Sequence, residues 1–157
     1  MADGFAATDD AGSDPVLAGI DHLVAVLVDH GTIRPMEFDS DRADGFATLL
    51  RIIIDQQVSV QSGAAIWKRL EAGLKGCTAQ NVRAAGEDNL RTFGLSRPKA
   101  RYALCLAEAV GTGSLDLKAL KSADNHDVMA RLTAVKGIGR WTAEVYMMFA
   151  LGRSDIW

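Results

Sequence analysis

From residue 14 onward, apolar side chains return every three to four positions, which is the period of a helix rather than of a strand. In DPVLAGIDHLVAVLVDHG, residues 14–31, Val16, Leu17, Ile20, Leu23, Val24, Leu27 and Val28 share one face. Asp14 stands at the N-cap, Pro15 at the first helical position and Gly31 just past the end, so a helix is predicted here. FATLLRIIIDQQVS follows a polar stretch and is apolar on every side, which predicts a core helix over 46–58. Ser59 is placed to cap VQSGAAIWKRLEAGL, ending near Gly76; a short helix is expected after Thr78, and GEDNLRTFG adds a further turn or two. Ser96 caps RPKARYALCLAEAVG, with Tyr102, Leu104 and Ala107 turned inward. A last pair is expected from about Asn125 to Thr133 and from Arg140 to about Leu151. No segment alternates with period two, so the fold class is all-α: a multi-helix domain over 14–157, preceded by a small, acidic, aperiodic tail at 1–13 that reads as disordered.

The net charge of −3 is unevenly spread. Residues 1–50 carry two basic and ten acidic residues, whereas 51–157 carry fifteen basic and ten acidic. On charge alone these are ordinary solvated faces, and the balance permits a polyanionic partner without requiring one. No apolar run approaches the roughly 20 residues that span a bilayer, and MADGFAATDDAGSDP lacks the basic and apolar regions of a secretory signal. The cytoplasm is the default expectation, with no membrane partner. Cys77 and Cys105 are far apart and cannot build a disulfide framework or a four-thiolate site, so both read as small buried hydrophobes.

The chemistry concentrates between the last two helices, in Val135-Lys136-Gly137-Ile138-Gly139-Arg140. Two glycines one residue apart allow φ > 0 and a close backbone approach to a ligand. The free N–H groups of the helix that opens there make an anion site suited to a phosphate diester. Lys136 and Arg140 flank the turn with positive charge, Thr142 adds a hydroxyl in the first turn, and Ile138 can plug the space between the helices. By spacing alone, the same residues also suit a plain tight turn. A dinucleotide fingerprint is excluded, because no strand precedes the glycines and no third glycine follows at the required place.

LTAVKGIGRWTA resembles the helix-hairpin-helix element of the DNA glycosylase superfamily whose hairpin is followed by a Gly/Pro-rich loop and a catalytic aspartate. IIIDQQVSVQSG at 52–63 and FGLSRPKARYALCLAEAV at 93–110 resemble the Gln-Gln-Val-Ser junction and the Gly-Leu-Ser-x-x-Lys-x-x-Tyr segment of its alkylation-repair branch, the 3-methyladenine DNA glycosylases II. The resemblance covers about residues 40–157 and lacks the β-rich N-terminal domain of larger members. It implies a base-excision enzyme that binds double-stranded DNA, flips a damaged nucleotide into a pocket and hydrolyses the N-glycosidic bond of alkylated purines such as 3-methyladenine and 7-methylguanine. Such bases are already cationic, so aromatic walls can select them.

Carried onto this chain, Lys136, Gly137, Ile138, Gly139, Arg140 and Thr142 would hold DNA, together with Gln57 as the side chain that wedges into the duplex and Ser59 beside it. Trp141 and Gln56 are the base-pocket candidates, although Trp141 also suits plain core, and Gln56 and Gln57 also suit helix-end capping. Trp141 stands where bifunctional relatives carry the Schiff-base lysine, which implies a monofunctional enzyme without lyase chemistry. No cofactor is required; a structural Na or K ion is implied on the backbone carbonyls of Thr133, Val135 and Ile138. The family's catalytic aspartate would fall about four residues past Trp157, so no catalytic residue is expected within this chain, and the chain as given is expected to be inactive. Asp155 and Asp55 match no catalytic position: Asp155 reads as a loop residue, and Asp55 as paired or at a helix edge. Apolar surface near Met147, Met148 and Trp157 is then expected to stand uncovered. The alternative is a non-catalytic helix-hairpin-helix module that binds duplex DNA without sequence preference. An oxidised-base or mismatch enzyme of the same superfamily is disfavoured by Trp141 and by the lack of a four-cysteine cluster.

Overall fold

The computed structural model describes residues 45–153 and residue 156. The expectations for the tail at 1–13, the helix at 14–31, Asp155 and Trp157 lie outside the described residues. Among those described there are six α-helices, one short 3-10 turn and no strand. The helices are α1 (Phe46–Asp55), α2 (Val60–Leu74), α3 (Ala79–Thr92), α4 (Arg97–Gly111), α5 (Asn125–Thr133) and α6 (Arg140–Phe149), with the 3-10 turn at Ala119–Lys121. No helix among the described residues is long and apolar enough to cross a membrane.

Side chains that satisfy orphan N–H groups fix where the helices begin. Ser59 accepts from the Ser62 N–H, Thr78 from Asn81, Ser96 from Lys99 and Asp124 from Asp127. The two pieces expected between Thr78 and Gly94 form one run interrupted at Gly86, whose φ of 72° and ψ of 172° are not helical. A left-handed φ with an extended ψ is open to glycine and closed to most other residues, so the break sits where the sequence supplies one.

α1 is the centre of the core. Phe46, Leu49, Leu50, Ile52, Ile53 and Ile54 are all buried, which explains why its sequence is apolar all round: it packs against α2, α4 and α6. Each such side chain removed from water contributes about 1.5–3 kcal/mol. α3 lies on α4 and α5 on α6, the last two forming the hairpin. Of the inward-facing expectations on α4, Ala107 is buried, while Tyr102 and Leu104 are half-buried against the core. Cys77 is buried and Cys105 half-buried, and the two do not form a disulfide. Met147 is buried and Met148 half-buried, while the neighbouring Phe149 and, at the start of α6, Trp141 are exposed, so uncovered apolar surface stands beside the two methionines rather than at Met147 itself.

Candidate nucleic-acid interface

The hairpin is built by backbone bonds that wind down α5 and restart at α6. The Val135 N–H donates to the Leu132 carbonyl at 3.1 Å, and the Ile138 N–H to the Val135 carbonyl at 3.0 Å. That second bond closes a tight turn over Lys136 and Gly137. Gly137 has φ 99°, and a Cβ there would run into the side chain of Tyr102 on α4. Ile138 is 4% exposed, plugging the space between the helices as its position suggests.

Gly139 differs from its neighbour. Its φ of −86° and ψ of 174° are ordinary extended backbone, and a Cβ there would meet nothing within 4 Å. Only one glycine of the pair therefore needs the left-handed region. As N-cap of α6, Gly139 provides no side-chain acceptor. The first intrahelical bond runs from the Ala143 N–H to the Gly139 carbonyl at 3.0 Å, so the N–H groups of Arg140, Trp141 and Thr142 precede the ladder and have no intrahelical carbonyl to bond.

The side chains around this opening divide in two. Lys136 and Arg140 are exposed, and the Arg140 Nε donates to Glu144 Oε1 at 2.6 Å, sharing its charge with a nearly buried carboxylate. Trp141 is 61% exposed, which removes the plain-core reading of that residue. Thr142 corrects its expectation: it is 2% exposed, and its hydroxyl accepts the Gln56 Nε2 at 2.9 Å instead of facing a phosphate. What Thr142 can offer an anion is its backbone N–H.

The junction between α1 and α2 meets the hairpin through that Gln56–Thr142 bond, which joins residues far apart in the chain. Gln56 is half-buried, stands at the C-cap position of α1 and donates its side-chain amide to Thr142. Gln57 is exposed and sits at φ 54°, a left-handed conformation rare for a side chain without special reason. Ser59 is exposed, and its Oγ accepts the Ser62 N–H at 3.2 Å and donates to Ser62 Oγ at 2.9 Å.

Three contributors carried no role in the sequence reading. Lys99 reaches from α4 and donates to the Ile54 carbonyl at 2.7 Å and to the Gln56 carbonyl at 2.5 Å. Burial lowers its pKa below the ordinary lysine value, opposed by the nearby Asp55 carboxylate. Glu144 is the second, through Arg140. Arg153, just past α6, is the third: it donates to Asn125 Oδ1 at 2.6 Å and to the carbonyls of Leu120 and Ala123 at 2.9 and 2.6 Å. Asp55 is paired, as expected of it: its Oδ2 accepts Arg51 Nε at 2.7 Å, and the Arg51 guanidinium lies 5.4 Å from the Trp67 ring centre. Lys99 belongs to the quoted Gly-Leu-Ser-x-x-Lys-x-x-Tyr segment, so the motif flagged the residue without revealing its target. Among the described residues no group of three or more His, Cys, Asp or Glu is placed to hold a metal ion.

The family model of the HhH-GPD superfamily base excision DNA repair proteins matches residues 50–149. DNA-3-methyladenine glycosylase 1 of Schizosaccharomyces pombe is 28% identical over 148 residues, covering 89% of this chain and 63% of that protein. Among solved structures, the DNA-3-methyladenine glycosidase of Bacillus halodurans is 37% identical with a TM-score of 0.69, over 73% of this chain and 54% of that one. A 3-methyladenine DNA glycosylase of Schizosaccharomyces pombe, solved in complex with abasic DNA, is 26% identical with a TM-score of 0.71, over 90% of this chain and 70% of that one. The chain thus spans somewhat less than two thirds of the curated relative. With the Gln56–Ser59 junction, the Ser96 segment and the hairpin all inside the matched region, the chain belongs to the HhH-GPD superfamily of base excision DNA repair proteins.

Proposed function

We propose that this chain grips double-stranded DNA at a damaged base and serves a monofunctional glycosylase that removes alkylated purines of the 3-methyladenine and 7-methylguanine type. The carrying observation is the α5–α6 hairpin: an uncapped helix start, with Lys136 and Arg140 beside it and an aromatic residue in place of an amine at Trp141. A phosphate takes the N–H groups of residues 140–142. Gln57, exposed on its left-handed turn, enters the duplex and fills the gap left by the flipped nucleotide. Trp141 offers a π-face to a cationic base. Without an amine at that position there is no Schiff base and no strand cleavage. The names of the relatives support the choice of alkylated purines, and the abasic-DNA complex of one of them supports the partner.

Of the carboxylates on the elements that build this interface, Asp55 is held by Arg51 and Glu144 by Arg140. In this reading the described residues serve binding and flipping, and the expected outcome is binding of abasic or alkylated duplex without release of a base. A Na or K ion on the carbonyls of Thr133, Val135 and Ile138 fits the donor set: the Val135 oxygen accepts the Ile138 N–H and keeps a second lone pair. Action as a monomer on cytoplasmic, nucleoid-associated DNA follows from the same reading.

The experiment is incubation of the chain with duplex carrying a single 7-methylguanine, following both binding and base release. Preferential binding over undamaged duplex, without release, is the expected result. Release at enzymatic rates would overturn the assignment of these residues to binding alone. Equal binding of damaged and undamaged duplex would favour a general helix-hairpin-helix DNA-binding module.

A further inference from the structure

Gln57 is one of two non-glycine residues with positive φ among those described, and the other, Lys75, is an ordinary left-handed helix end. A left-handed L-residue is strained and persists only where its surroundings over-determine it. The surroundings of Gln57 do so from two directions. Below the turn, one ammonium, that of Lys99, binds the carbonyls of both Ile54 and Gln56, which lie on either side of the end of α1. These are orphan acceptors of a helix terminus, which a cation satisfies well. Beside the turn, the Gln56 side chain binds Thr142 in the first turn of the hairpin helix. Residue 57 is thus suspended between α4 and α6, with its neighbour's backbone fixed to one and its neighbour's side chain to the other.

We infer that Lys99 is the positioning residue of the DNA-entering turn: by gathering the Ile54 and Gln56 carbonyls it holds Gln57 in its left-handed conformation and in register with the phosphate-binding hairpin. Lys99 touches no base or phosphate in this scheme. It acts by having the turn already formed before DNA arrives, which spares the encounter the cost of ordering it. Lys99 is half-buried, so its two acceptors are held against fewer competing waters than a fully solvated lysine would meet. The inference rests on the reading of Gln57 as the side chain that enters the duplex, so the two are tested together but separably.

The experiment uses the full chain and a duplex carrying a tetrahydrofuran abasic-site analogue opposite 2-aminopurine, whose fluorescence rises when it is unstacked. The wild-type chain is expected to raise it. Gln57→Ala and Lys99→Met are each expected to cut the rise about five-fold by depleting the entry-competent turn, and the double variant to lose no more than either single one. Affinity of Lys99→Met for undamaged duplex should stay within about two-fold, because phosphate contacts carry that term. Amide exchange at residues 57–59 of the DNA-free protein should quicken about ten-fold, since local opening is what Lys99 opposes.

A folded Lys99→Met chain that keeps the fluorescence rise while Gln57→Ala loses it overturns the role of Lys99 and leaves Gln57 standing. Absence of any rise with the wild-type chain overturns both. Should Lys99→Met fail to fold, Thr142→Val carries the test by releasing the other tether: loss of the rise supports the suspended turn, and its retention sinks it.

Discussion

Replacing Gly137 with alanine separates what the hairpin needs in order to fold from what it needs in order to bind. Two costs add. At φ 99° the backbone lies beyond the left-handed well that L-residues reach, and placing a Cβ there costs about 1–2 kcal/mol. The new methyl also meets Cβ, Cγ and Cδ1 of Tyr102, the stem of that side chain rather than its movable tip. Either α4 or the turn must give way, at the price of about 1–3 kcal/mol. The combined loss, about 2–5 kcal/mol, is a large fraction of the roughly 5–15 kcal/mol that a domain commands. Gly137→Ala should still fold, with a urea midpoint well below that of wild type. Gly139→Ala is the matched control: its backbone is extended and its surroundings open, so its stability should change by less than about 1 kcal/mol. Adding Tyr102→Ala tests the packing part, because removing the ring should recover about 1 kcal/mol of the Gly137→Ala penalty as coupling. The measurement is equilibrium unfolding followed by helical circular dichroism. Equal effects at the two glycines would refute the division.

Three further outcomes follow from the same geometry. Gly139→Val should fold normally yet weaken binding to every duplex alike, because valine accepts the extended backbone but stands where a phosphate must approach; unchanged affinity in a titration would remove Gly139 from the interface. Lys136→Ala should reduce the slope of log affinity against log salt by about 0.9, the share of one phosphate contact; an unaltered slope would place Lys136 outside the bound surface. Lys99 predicts a pH dependence: its folded pKa lies below 10.5 because burial disfavours the charge, so between that lowered value and 10.5 the unfolded chain binds more protons. Stability from this group therefore rises with pH across that window. Comparing urea unfolding of wild type and Lys99→Met from neutral pH upward should show the difference moving in favour of wild type, and movement the other way contradicts the burial.

Helix boundaries were largely legible because they are local. Ser59, Thr78 and Ser96 each stand one residue before a helix and bond an N–H three residues on, a relation that sequence spacing contains in full. Gly86 marked the break in α3 for the same reason. The site was legible as a set of positions but not as a set of partners. Thr142 looks from its neighbours like a hydroxyl at an anion-binding helix start; its acceptor role toward Gln56, a residue distant in sequence, turns it inward. Trp141 suits core or surface equally by type, and only the packing of α6 decides for exposure. Gly139 shares its spacing and chemistry with Gly137, yet the two take opposite backbone signs, and Tyr102, on another helix, crowds only the first. Lys99 sits in the Gly-Leu-Ser-x-x-Lys-x-x-Tyr segment, but its targets are backbone carbonyls, which have no signature in the sequence.

Arg153 has a mechanical consequence. Its guanidinium gathers the Leu120 and Ala123 carbonyls and the Asn125 side chain, while its own N–H donates to the Met147 carbonyl at 3.0 Å. The stretch from Leu120 to Arg153 is thereby buckled into a ring with α5, the turn and α6 inside it. Tension arriving along the chain at Arg153 is handed to the loop ahead of α5 and bypasses the turn. The hairpin is closed at its base by bonds that involve neither of its glycines.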